Sequence, residues 1–246
     1  MALTTRVIKG GALLEDSRRF VEAWDPDLAT DANLAHILGE NLLAKPSLSR
    51  AEDVVAVLRR RLVHPGREVL EALRALSAKP RPFREACFYE AARDDELLAS
   101  FAGEALFGWR HDGHNHVDAA EVSAWLDTAG PGWSPPTRQR VAEGLLATGR
   151  DFGLLDGVVH KRLAAPAMSL PGFAYVALRE RATKRSSRAL LDSPAWRRYL
   201  LDDDNVRALF HQADRHKVLR FSEAGSTVRI DWLLDDLQEV ADVPLS

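Results

Sequence analysis

Residues 117–162 read VDAAEVSAWLDTAGPGWSPPTRQRVAEGLLATGRDFGLLDGVVHKR. Val122, Trp125 and Leu126 recur at helical spacing and predict a short helix. The following GPGWSPP is rich in turn formers. Pro135 and Pro136 suit the first turn of a second helix, where the backbone amides have no intrahelical partner. Along that helix Val141, Leu145 and Thr148 fall on one side. Gln139, Glu143 and Arg150 fall on the other, with Arg140 beside them. Residues 158–163 start with β-branched valines and continue into His160, Lys161 and Arg162, which predicts a basic strand. Helix, turn, helix, strand is the order of a winged helix-turn-helix, and that points to nucleic acid rather than small-molecule chemistry.

The residues before this unit are patterned as helices. Leu13, Leu14, Ser17, Val21 and Trp24 trace one stripe. Leu34, Ile37, Leu38 and Leu42 trace a second, with Thr30 as its predicted N-cap and Pro46 as its stop. Ser49 and Glu52 have capping-box spacing, and Ala51, Val55, Leu58 and Leu62 follow on one face. Val69, Leu73 and Leu76 mark a fourth helix. A fifth is expected over residues 83–92, after a break at Pro80 and Pro82. A sixth is expected over residues 94–109, with Leu97, Leu98, Phe101 and Ala105 inward.

After the unit, Ser169 is expected to cap a helix that carries Pro171 early and runs out through RERATKRSSR, residues 179–188. Residues 192–201 suggest another short helix. Val206, Leu209, Phe210 and Ala213 define the next. Residues 218–221 and 227–232 are β-patterned and predict a hairpin. Helix, helix, hairpin thus occurs a second time, although no sequence repeat accompanies it.

Composition narrows the class. The chain has 246 residues, 46% hydrophobic and 28% charged, as expected of a soluble globular protein. Its single cysteine, Cys87, excludes an intrachain disulfide and fits a reducing, cytoplasmic setting. The N-terminus lacks the apolar core of a signal peptide. The longest run without a charged residue or His is 163–178, which three Pro or Gly residues interrupt; a membrane span needs about 20 mostly apolar residues. The net charge of −3 hides an asymmetry. Residues 134–200 carry 12 Lys and Arg against 5 Asp and Glu, a local net of +7, so the remainder is strongly acidic. A basic segment in an acidic protein suggests a directed electrostatic face.

The candidate DNA-contacting residues lie in that segment. Thr137, Arg138, Gln139 and Arg140 occupy the first turns of the second helix, the part of a reading helix that meets the major groove. Arg and Gln can pair with base edges and Thr with a phosphate. Lys161 and Arg162 belong to the wing, where cations neutralise phosphates. Arg181, Lys184, Arg185 and Arg188 are spaced by three and four, which predicts one basic helical face. Each group also has a plainer reading as solvated surface charge.

Other chemistry has little support. His111, Asp112, His114, His116 and Asp118 include suitable metal ligands, but their spacing matches no zinc pattern and thiolates are absent. A polar loop is the better reading, and no metal or other cofactor is expected. Phosphate-loop, dinucleotide, nucleophile-elbow and HExxH signatures are missing, so no catalytic residue and no small-molecule substrate is assigned.

Four segments together resemble the BREX bacteriophage-exclusion A-protein family: GGALLEDSRRFVEAW (residues 10–24), ENLLAKPSLSRAEDVVAVLRRRL (40–62), SPPTRQRVAEGLLATGRDFGLL (134–155) and SPAWRRYLLDDDNVRALFHQADRHKVLRFSEAGSTVRIDW (193–232). Asn41, Lys45, Ser47 and Arg61 fall where the family's N-terminal motif would lie. The resemblance implies a mostly helical, cytoplasmic protein of a phage-defence system. It further implies double-stranded DNA binding without catalysis, beside larger defence subunits.

The expected architecture is mainly α: an N-terminal helical bundle (residues 1–93), a winged-helix-like module (94–168) and a C-terminal helical module with a β-hairpin (169–246). Its expected partner is double-stranded DNA, with other defence subunits as further partners and no membrane. A protein-interaction adaptor and an autoregulatory transcription factor are the competing readings. An RNA-binding role is weaker, because the six Trp residues form no evident stacking platform.

Overall fold

The apolar stripes of the N-terminal third all turn inward. The structure, a computed structural model, describes residue 5, residue 7, and residues 10–184 and 186–245. Helix α1 (Leu14–Ala23) buries Phe20 and Val21. Helix α2 (Thr30–Gly39) buries Leu34 and Ile37. Its N-cap is Ala29 and no side chain caps it, so Thr30 is its first residue and not its cap. It ends at Gly39, before the expected stop at Pro46, because Asn41 takes a left-handed conformation at φ 45°. Helix α3 (Leu48–Leu58) starts two residues earlier than the capping-box reading places it. Ser47 is the cap, and its side chain accepts from the Arg50 amide at 3.3 Å.

Helix α3 runs into a π-helical turn at Arg59–Val63. The wider turn carries Arg61 into the interior, where it is only 4% exposed. Its guanidinium donates to the Gly11 carbonyl at 2.9 Å and lies 3.8 Å from Asp94. Burial pushes this guanidinium down from its ordinary value, against the pull of Asp94 and Asp95. Helices α4 (Arg67–Leu76) and α5 (Pro80–Asp94) complete the bundle. Pro80 and Pro82 sit in the first turn of α5 instead of breaking the chain before it, which extends the helix beyond 83–92.

Helices α6 (Glu96–Ser100) and α7 (Phe107–His111) flank a second π-helical stretch, Phe101–Leu106. Strand β1 (His116–Val117), helix α8 (Ala119–Ala129), helix α9 (Pro135–Asp151), strand β2 (Leu155–Asp156) and strand β3 (Lys161–Leu163) follow. The three strands form one antiparallel sheet in the order β1-β3-β2. Arg162 lies opposite His116 on one side and Asp156 on the other. The expected strand over 158–163 begins only at Lys161. Val158 and Val159 instead form the β2–β3 loop.

Helix α10 (Leu170–Arg181) is capped by Ser169, as its sequence suggests. Helix α11 (Ser187–Leu191), a 3-10 turn at Trp196–Tyr199 and helix α12 (Asp203–Arg215) come next. The short helix expected over 192–201 is reduced to the 3-10 turn at Trp196–Tyr199. Strands β4 (Leu219–Ala224) and β5 (Thr227–Trp232) pair antiparallel around a Gly225–Ser226 turn, and a 3-10 turn at Gln238–Asp242 ends the described fold.

The fold is mainly helical, with two small antiparallel sheets. One buried apolar cluster extends from Val7 to Val243 and joins all three segments. Phe173 stacks on Trp196 at 5.3 Å, and Phe210 meets both rings edge-on at 4.9 and 6.1 Å. Such aromatic pairs are worth about 0.5–1.5 kcal/mol each beyond the area they bury.

Buried carboxylates lace α5 to α10. The Tyr89 hydroxyl donates to Glu180 at 2.7 Å, and the Tyr175 hydroxyl donates back to Glu90 at 2.8 Å. Arg179 adds a bond to Glu90 at 2.8 Å. The Glu85 carboxylate accepts from the Ser169 amide at 3.0 Å and from its hydroxyl. Burial pushes the Glu85 carboxyl up. The backbone passes so close at Gly172 that a Cβ there would collide with that carboxylate. Among the described residues, no helix is long and apolar enough to cross a membrane.

Candidate nucleic-acid interface

The order β1, α8, α9, β2, loop, β3 places two basic elements on one small scaffold. Asp118 starts α8 with a complete capping box: its side chain accepts from Ala120 and Glu121, and Glu121 reaches back to the Asp118 amide. Within the polar loop of residues 111–118, the box gives Asp118 a capping role. His114 lies 3.8 Å from Glu121 and His116 belongs to β1. Among the described residues no group of three or more His, Cys, Asp or Glu side chains is placed to hold a metal ion.

The first turns of α9 divide their side chains between two tasks. The Thr137 hydroxyl lies 3.0 Å from that of Ser134 and closes the turn. Arg138 points back: it is 2.5 Å from Asp127 of α8 and donates to the Trp133 carbonyl at 2.9 Å. Its side chain is only 20% exposed. Gln139 is exposed but donates to Glu143 at 2.8 Å, one turn along the helix. Arg140 is exposed and has no hydrogen bond or ion pair among the described residues.

The β2–β3 loop is tight. Gly157 adopts φ 88°, and the Lys161 ammonium folds over to the carbonyls of Gly157 and Val158. The tip projects two apolar side chains, Val158 and Val159, which are 73% and 83% exposed. Arg162 is exposed on β3 and free of any ion pair among the described residues. Between loop and helix runs a groove of about 280 Å³ walled by Val117, Leu146, Ala147 and Val159, with Asp118, Glu143 and Lys161 at its edges.

The expected basic face over 181–188 does not exist as one helix. Helix α10 ends at Arg181, and Ser186 caps α11 by accepting from the Ala189 amide at 3.1 Å. The Ser and Thr residues around this point favour turn and cap geometry over continuation. Arg181 lies over the Trp232 ring at 5.3 Å. Lys184 pairs with Glu180 at 3.2 Å. Arg188 reaches the hairpin, 3.3 Å from Glu223 and 3.1 Å from the Ser226 carbonyl. Arg185 lies outside the described residues.

The second helix–helix–hairpin unit differs from the first in charge. Helix α12 begins with Asp202 as its cap and Asp203 and Asp204 in its first turn, where α9 has Pro, Pro, Thr, Arg, Gln and Arg. Three carboxylates at that position would repel a phosphate backbone.

The four motif positions near the N-terminus hold structure together. Asn41 and Lys45 close a loop through two hydrogen bonds, at 3.0 and 2.9 Å, and the Lys45 ammonium pairs with Asp16. Ser47 and Arg61 have the cap and interior roles described above. Sequence reading missed the partners of the basic residues, Asp127 and Trp133 for Arg138 and Trp232 for Arg181. The Trp133–Arg138 pair is local enough to have been suspected; Trp232 had no nearby signal.

No curated protein matches the chain. The crystal structure of an uncharacterized protein from Magnetospirillum magneticum is similar, with a TM-score of 0.62 and 17% sequence identity, over 81% of this chain and 98% of that one. At that identity the likeness concerns the fold. The BrxA family model matches residues 2–177, well over half of the chain. The chain therefore belongs to the BrxA family, and with it to the components of BREX phage-defence systems.

Proposed function

We propose that this BrxA-family chain is a non-catalytic, double-stranded-DNA-binding component of its defence system, and that residues 116–163 act as a winged helix-turn-helix. The observation that carries the reading is the β1-β3-β2 sheet closing behind α8 and α9, with Arg140 and Arg162 both exposed, and unpaired among the described residues, on the helix and the wing strand. Arg140 sits where a reading helix meets the groove, and Arg162 sits where a wing meets the backbone. Arg138 has a supporting role in this reading, because its charge is already matched by Asp127.

Fluorescence anisotropy of a labelled duplex tests the proposal. Affinity should fall log-linearly with salt, with a slope of about −0.9 per phosphate engaged. Absence of binding at low salt overturns it. One observation favours a second reading, a docking module for a larger defence subunit: the exposed Val158 and Val159 beside a partly acidic groove. Co-purification of a defence subunit that a Val158→Ser/Val159→Ser variant loses, without duplex affinity, supports that alternative.

A further inference from the structure

A small pocket of about 230 Å³ lies where the end of α10, the start of α11 and strand β5 meet. Its polar walls are Arg181, Lys184, Ser186 and Ser187, and among the described residues no Asp or Glu lines it. The hydroxyl oxygens of both serines already accept backbone amides, Ser186 from Ala189 and Ser187 from Ile230, each at 3.1 Å. Each hydroxyl therefore keeps its proton to donate. Arg181 has no ion pair among the described residues and lies 5.3 Å over the Trp232 ring. Lys184 uses one side of its ammonium on Glu180 at 3.2 Å, leaving further N–H groups. All four polar side chains of the pocket can thus donate to a ligand. Trp232, Leu190 and Ile230 supply an apolar floor.

A cation would meet the positive charges of Arg181 and Lys184 here, whereas a phosphate would find several charge-assisted donors. We propose that this pocket binds the phosphate of a nucleotide unit, with its sugar or base against Trp232. The phosphate can belong to a DNA strand, in which case the site rests on the DNA-binding reading above, or to a free nucleotide. All the described residues that line the pocket lie beyond residue 177, outside the part of the chain that the BrxA family model matches.

The test uses the full chain and two variants, Arg181→Gln and Lys184→Gln, neither of which removes a backbone hydrogen bond. Thymidine 5′-monophosphate and inorganic phosphate are titrated by calorimetry, and a labelled duplex by anisotropy across salt. Saturable nucleotide binding, tighter than inorganic phosphate and lost in Arg181→Gln, assigns a free-nucleotide site. A duplex salt slope that becomes shallower by about 0.9 in Arg181→Gln, with no nucleotide binding, assigns a strand phosphate. No nucleotide binding together with an unchanged slope overturns the pocket while leaving the winged unit standing. If the parent chain binds no duplex at all, the winged-unit reading falls, and the nucleotide titration alone decides the pocket.

Discussion

Replacing Arg138 and Arg140 one at a time should separate stability from binding, although the two residues are nearly adjacent in sequence. Arg138→Ala removes an ion pair to Asp127, which is 60% exposed, and a hydrogen bond to the Trp133 carbonyl. An ion pair with one exposed partner contributes at most about 1 kcal/mol after solvent screening. The carbonyl bond contributes about 1 kcal/mol more. The expected loss is about 1–2 kcal/mol, or a fall in Tm of about 2–8 °C for a chain of this size. Arg140→Ala removes no partner and should change stability by less than about 0.5 kcal/mol. On the duplex the order reverses. Arg140→Ala should make the log affinity against log salt shallower by about 0.9, and Arg138→Ala should leave that slope close to the parent's. Differential scanning calorimetry and salt-dependent anisotropy on the same preparations measure both. An Arg138→Ala variant with the parent's Tm and a slope reduced as in Arg140→Ala would refute the division of roles.

Two further outcomes concern the buried helix pair. Burial by itself raises the Glu180 carboxyl, but hydrogen bonds from Ser193 and Tyr89 and the Lys184 ammonium outweigh it and hold the group below the ordinary value of 4.5. A depressed carboxyl contributes stability above its unfolded value and loses it as pH falls through the folded one. Glu180→Gln should therefore lower the urea midpoint at neutral pH, and the gap from the parent should narrow below about pH 4.5; a gap that widens there contradicts the assignment. Gly172→Ala places a Cβ against the Glu85 carboxylate, which Ser169 and Arg81 hold in place, so overpacking should cost about 1–3 kcal/mol in denaturant titration. A neutral result would mean that this carboxylate moves freely.

The helical stripes were legible because burial repeats with the helical period. Leu97, Leu98, Phe101 and Ala105 all lie inward, as do Val141, Leu145 and Thr148. The misreadings were of ends and caps: Thr30 for Ala29, Ser49 for Ser47, and a helix carried on to Arg188 that stops at Arg181. Those points depend on a few backbone hydrogen bonds, which neighbouring Ser, Thr and Asn residues compete for almost equally. The π-helical turn that carries Arg61 inward leaves no mark in a periodic reading, because Arg59, Arg60 and Arg61 look alike as letters.

By itself the sequence determined the mainly helical class, the order of elements around residues 117–162, the second hairpin and the concentration of positive charge. Each follows from local periodicity, turn chemistry or counting. Only the tertiary structure decided which of those charges remain free. Arg138 meets Asp127, Arg188 meets Glu223, Lys184 meets Glu180 and Arg181 meets Trp232, while Arg140 and Arg162 face solvent with no partner among the described residues. Two of these partners, Glu223 and Trp232, are tens of residues away, and others are a turn away across a bend. An ion pair depends on a few ångströms of three-dimensional separation, which spacing along the chain does not encode once the helix has ended.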